Sequence, residues 1–127
     1  MLGYREDIAE ILAGSDCSVD ASFAGLGLTG ALRESLAVAT PVVATAVEGN
    51  PELVIDGETG LLFPPRNVPM LAAGVARFMS NPAEARRMAE VGRRRVEQLF
   101  STRRKVECVE SLYRELVADH ASSLSRG

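Results

Sequence analysis

With 127 residues, the chain can form one small domain with a real core, and 46% hydrophobic against 24% charged residues is ordinary for a globular protein. A formal net charge of −3 argues against a nucleic-acid or anionic-membrane partner. No apolar run approaches the ~20 residues of a membrane span, and MLGYREDIAE lacks a basic stretch leading into an apolar one, so no signal peptide is read and a cytoplasmic location is expected.

In chain order, DIAEILAG (7–14) reads as a short helix, with Asp7 as N-cap and Gly14 as its end. CSVDASF (17–23) reads as a strand and leads into the Gly-rich AGLGLTG (24–30). A helix over about 29–39 follows, capped by Thr29 and stopped by Thr40-Pro41. PVVATAV (41–47) is continuous and β-branched, the pattern of a strand buried on both faces. GNPELVI (49–55) reads as a turn and short helix, DGETG (56–60) as a turn, and LLF (61–63) as a third strand closed by Pro64-Pro65.

Helical periodicity then persists. One stripe is Val68, Leu71, Ala72, Val75, Phe78 and Met79; the next, after the Asn81-Pro82 cap, is Ala85, Met88, Ala89, Gly92, Val96 and Leu99. A last helix, capped by Ser101, is expected to turn Val106, Val109, Tyr113, Leu116 and Val117 inward. The predicted fold class is α/β: a Rossmann-like, three-layer parallel sheet followed by C-terminal helices. Residues 1–120 form the folded part and 121–127 a flexible tail. Cys17 and Cys108, far apart and without metal-type spacing, are expected to be free thiols. Residues 83–105 hold eight bases against three acids, but without interleaved aromatics they read as a solvated helix surface.

In open α/β sheets, ligands bind beyond the carboxyl ends of the strands. Two loops leave strands there, AGLGLTG and VEGNPE (47–52). Gly25, Gly27 and Gly30 would let backbone N–H groups approach an anion, with a helix N-terminus aimed at the same place. The spacing also matches G-x-G-x-x-G, but the dinucleotide fingerprint needs an acid about twenty residues on, and Glu48 is only roughly placed. Glu34, one turn into the helix, could accept hydrogen bonds from a polyol. It could equally pair with Arg33 or Arg66, or face water. His120 is the single histidine and lies near a chain end, so no histidine-based catalytic or metal site is expected.

The segment 20–65, DASFAGLGLTGALRESLAVATPVVATAVEGNPELVIDGETGLLFPP, resembles the donor-site region of the retaining GT-B glycosyltransferases of the large group-1 (family-4) type. The likeness extends to GYREDIAEILAGSD before it and to the helices over 67–117 after it. It implies a nucleotide-diphosphate-sugar donor with no cofactor and no metal, and sugar transfer to a hydroxyl acceptor. Glu34 would be the second acid of the E-x7-E motif and hold the ribose. Eight residues back, Leu26 stands where the first, sugar-contacting acid belongs. Gly25, Leu26, Gly27, Leu28 and Thr29 would line the sugar and diphosphate.

The likeness covers the later part of the second of the family's two domains. The acceptor domain and the usual diphosphate-holding Arg/Lys pair have no counterpart here, so a truncated chain inactive on its own is expected. Its partners would then be the nucleotide sugar and an acceptor domain or another chain. Membrane association, where relatives have it, would belong to the full-length enzyme. The alternative is a non-enzymatic α/β module that binds a nucleotide or a protein, or that forms a homo-oligomer through an exposed sheet edge.

Overall fold

The computed structural model describes residues 3–24 and 30–124. They divide into two compact units, the first running to Glu97 and the second beginning at Gln98. In the first unit the order is α1 (Ile8–Ala13), β1 (Ser18–Asp20), α2 (Gly30–Ala37), β2 (Val42–Thr45), α3 (Asn50–Leu53), β3 (Leu61–Phe63), α4 (Val68–Ser80) and α5 (Pro82–Leu99), whose last residues enter the second unit.

The three strands form one parallel sheet in the order β1-β2-β3, with Val43 beside both Val19 and Leu61. The mixed α/β architecture is the one expected. The strands are shorter than the apolar runs suggested: three residues for 17–23 and four for 41–47. β2 is buried at all four positions because successive side chains point to opposite faces and both faces are covered. On one face, Val43 and Leu61 pack with Phe78, Ala85 and Met88. Val42 lies against the backbone of Gly60, so close that a Cβ there would come within 2.6 Å of it.

Glycines set two further contacts. A Cβ on Gly74 would fall 2.4 Å from the Phe63 ring, and one on Gly92 would fall 2.5 Å from Leu36 Cδ2. Gly74 is therefore buried in α4, a position that the apolar stripe did not include. Val68, Ala72 and Met79 of that stripe are exposed, so α4 meets the sheet along Leu71, Gly74, Val75 and Phe78. The α5 stripe is buried as expected from Ala85 to Val96, whereas Leu99 is exposed.

Helix ends follow local chemistry. Asn67 Oδ1 accepts from the Met70 N–H, Asn81 Oδ1 from the Glu84 N–H, and Ser101 Oγ from the Arg104 N–H. The caps at Asn81 and Ser101 are those expected. Asp7 is not a side-chain cap: its carboxylate is taken by the Arg5 guanidinium instead. α2 ends on a Schellman turn, with Thr40 N–H on Ser35 O (2.8 Å) and Ala39 N–H on Leu36 O (3.0 Å). Ala39 occupies the left-handed position (φ 58) that glycine would fill without strain.

The second unit holds α6 (Thr102–Leu124). Val106, Val109, Tyr113, Leu116 and Val117, expected to face inward, are all exposed, and so is Leu112. The periodicity marks one apolar face of the helix, but the burial expected of it is not found. Burial needs an opposing surface, and this unit contains little besides the helix itself.

Candidate functional site

The carboxyl ends of the strands are tied together by short polar contacts. Thr45 Oγ1 donates to Ser22 O (2.5 Å), Ser22 N–H donates to Asp20 Oδ1 (2.9 Å), and Asn50 Nδ2 donates to Thr45 O (3.0 Å). The segment leaving β1 is thereby anchored to β2 just before the Gly-rich loop. Thr45 and Asn50 are both buried, and Asn50 Oδ1 has no hydrogen-bond partner among the described residues. An unpaired buried acceptor is costly unless water or a ligand donor reaches it. The sequence marked this stretch only as a turn and short helix.

Glu34 lies one turn into α2, exposed, at the end of the helix nearest the carboxyl end of β1. A Cβ built on Gly30 would sit 3.5 Å from Glu34 Oε1, so the carboxylate folds back toward the helix start. Among the described residues it pairs with neither Arg33 nor Arg66. Arg66 instead lies over the ring of Phe23, 5.5 Å from its centroid. Glu34 also borders a largely apolar groove of about 430 Å³ between α1 and α2, with Ile8, Ala9, Ala37 and Val38. A carboxylate beside apolar walls can take hydroxyl donors from a ligand whose ring covers those walls.

The other proposed contacts, Gly25, Leu26, Gly27, Leu28 and Thr29, lie outside the described residues, as does the expected Thr29 cap. Two features of this end were not foreseen from the sequence. Glu48 (φ 47) after β2 and Arg66 (φ 63) after β3 both hold left-handed backbone, which is uncommon for residues other than glycine. Only a local turn signal, Gly49 next to Glu48 and Pro-Pro before Arg66, marked the neighbourhood.

A second cavity, of about 330 Å³, lies at the opposite, amino end of the strands and is lined by Gly14, Asp16, Ala39, Pro41, Phe78 and Arg86 among others. It is the better enclosed of the two. Glu34 is nonetheless the stronger candidate, because it sits near the start of the helix that follows β1, and ligands of open parallel sheets bind at the carboxyl ends. The basic helices are partly neutralised by their own acids: Arg93 bridges Glu90 (2.6 Å) and Glu97 (2.9 Å), and Arg103 meets Glu107 (2.9 Å). No helix among the described residues is long and apolar enough to cross a membrane.

Comparison with known proteins gives a consistent picture. Residues 1–95 match the family model described as glycosyl transferases group 1. The chain is 31% identical over 115 residues to an MMP alpha-(1->4)-mannosyltransferase of Mycolicibacterium hassiacum, covering 89% of this chain and 28% of that protein. Among solved structures, it is similar to a sucrose-phosphate synthase from Thermosynechococcus elongatus (TM-score 0.80, 35% identity, covering 86% of this chain and 27% of the other). It is also similar to Anabaena HepE in complex with UDP-glucose (TM-score 0.81, 26% identity, covering 88% and 31%). The chain thus spans under a third of the length of these relatives.

Proposed function

Because this chain belongs to the group 1 glycosyl transferases, we propose that it forms part of a nucleotide-sugar donor site and holds the donor ribose through Glu34. The observation that carries this reading is an exposed carboxylate without an ion pair among the described residues, one turn into the helix that follows β1, beside an apolar groove. Ribose hydroxyls would donate to Glu34 Oε1 and Oε2, and a ring could lie on Ile8, Ala37 and Val38. That a related protein is known in complex with UDP-glucose supports a uridine donor class. Transfer would go to a hydroxyl acceptor with retention at the sugar carbon and without a metal ion. Leu26 would leave the transferred sugar without its usual carboxylate contact.

Turnover is proposed to need surfaces beyond these 127 residues, since the relatives devote more than two thirds of their length to parts with no counterpart here. Calorimetric titration with UDP-glucose tests the binding reading. Hydrogen bonds to a charged group contribute roughly 1.5–3 kcal/mol, so Glu34→Ala should weaken binding about 10- to 100-fold. Equal affinity of wild type and Glu34→Ala for UDP-glucose would sink the ribose role. Enzyme-like sugar transfer by the isolated chain would sink the proposed dependence on other surfaces.

A further inference from the structure

We propose that Thr45 and Asn50 are positioning residues of the donor site: they clasp β2, α3 and the segment that leaves β1, so that α2 presents Glu34 at a fixed place. The inference rests on the donor-site reading above. Thr45 is 3% and Asn50 1% exposed, so both act through the groups they hold and not on a ligand. Because both are buried, no surface outside this chain is needed to complete the clasp.

Thr45 is the last residue of β2 and reaches two ways. Its hydroxyl donates to Ser22 O (2.5 Å) on the segment leaving β1, and its carbonyl accepts from Asn50 Nδ2 (3.0 Å). Asn50 also closes the turn between them, since its backbone N–H donates to Val47 O (3.0 Å). Glu48, inside that turn, is thereby held in left-handed backbone (φ 47), which a residue with a Cβ adopts only at a cost. Asn50 begins α3, and α2 packs against α3, β1 and β2. The clasp therefore links three of the elements on which the helix of Glu34 rests.

The Asn50 Oδ1, unpaired among the described residues, separates this role from simple packing. A buried acceptor without a partner is unfavourable, and a leucine of similar volume would avoid it. Thr45 O does not depend on the asparagine for a partner, because the Val47 N–H also donates to it (2.9 Å). The amide thus contributes placement of the turn and of the β1 exit, at the expense of stability.

Calorimetric titration with UDP-glucose, well below the unfolding temperature, tests it beside thermal melts. Asn50→Leu should melt no lower than wild type yet bind about 2- to 10-fold more weakly, the size set by one neutral hydrogen bond. Thr45→Val keeps the shape but loses the hydroxyl, and should weaken binding by a similar factor. Thr45→Ser restores the hydroxyl and should recover affinity; a packing role would give the opposite order, because serine lacks the methyl group. Thr45→Val/Asn50→Leu should lose little more than either alone, since both break one clasp. If Asn50→Leu misfolds or melts lower, the two Thr45 variants decide. Wild-type affinity in Asn50→Leu and Thr45→Val overturns the proposal, as do fully additive losses or a Thr45→Ser weaker than Thr45→Val. Glu34→Ala keeps the two readings apart. If it alone weakens binding, the donor reading stands and the clasp is overturned; if it binds like wild type, the donor reading fails and the clasp with it.

Discussion

Val19 and Leu62 hold equivalent places on the two outer strands, yet their surroundings differ. Leu62 gives its outward N–H to Asp56, Gly74 of α4 lies against the Phe63 ring of β3, and Gly60 just before β3 lies against Val42. Val19 has an outward backbone without a described partner and a half-exposed side chain. The difference comes from what precedes each strand. β3 follows DGETG, a turn that folds its own carboxylate back onto the edge, whereas β1 follows GSDC, in which Asp16 is exposed and offers no such contact. On β3 a specific turn residue finishes the outward side of the strand.

If the β3 side is closed and tightly packed, Gly60→Ala should have the largest effect. The added Cβ would meet the Val42 carbonyl at 2.8 Å, and backbone yields little, so a loss of about 3 kcal/mol is expected in urea unfolding. On the β1 side, Ala39→Gly at the end of α2 relieves left-handed strain and should stabilise by about 1 kcal/mol, read from the same curves. Asp56→Ala would turn the closed edge into an open one. It should cost about 1 kcal/mol in the same unfolding curves. Val19→Thr keeps a β-branched side chain on a half-exposed site and should change stability by under about 0.5 kcal/mol.

Acidification should weaken the ion pairs of α4 and α5. The Arg77 guanidinium hydrogen-bonded to Glu84, and Arg93 hydrogen-bonded to Glu90, hold both carboxyls below the ordinary carboxylate range. A carboxylate whose folded value is depressed adds stability above its unfolded value, near 4.3, and loses it as pH falls through the folded value. Hydrogen-exchange protection in α4 and α5, taken relative to the intrinsic exchange rate at each pH, should therefore fall below about pH 4. Arg77→Met/Arg93→Met should flatten that dependence. A profile unchanged by the double substitution would show that these pairs do not couple to stability.

The regular elements were readable because each rests on a local signal. VVAT is buried because a continuous β-branched run suits a strand covered on both faces, and Asn81 and Ser101 cap because their side-chain oxygens reach the N–H three residues on. Gly60, Gly74 and Gly92 gave no such signal, since a glycine at a close approach has no side chain to announce its neighbour. Asp7 misled because a nearby arginine competed for its carboxylate. In the candidate site, the place of Glu34 was legible, one turn into the helix after a Gly-rich loop. The Arg66–Phe23 contact was not, because it joins residues 43 positions apart across the ends of the sheet.

The sequence by itself determined the alternation of strand and helix, the family and the helix that carries Glu34, because periodicity, caps and motif spacing are properties of neighbouring residues. Only the tertiary structure decided that Glu34 makes no ion pair among the described residues, that Asp56 takes the outward N–H of Leu62 and that Arg66 reaches Phe23. Those outcomes depend on which distant groups come within hydrogen-bonding reach, and chain order alone does not contain that distance.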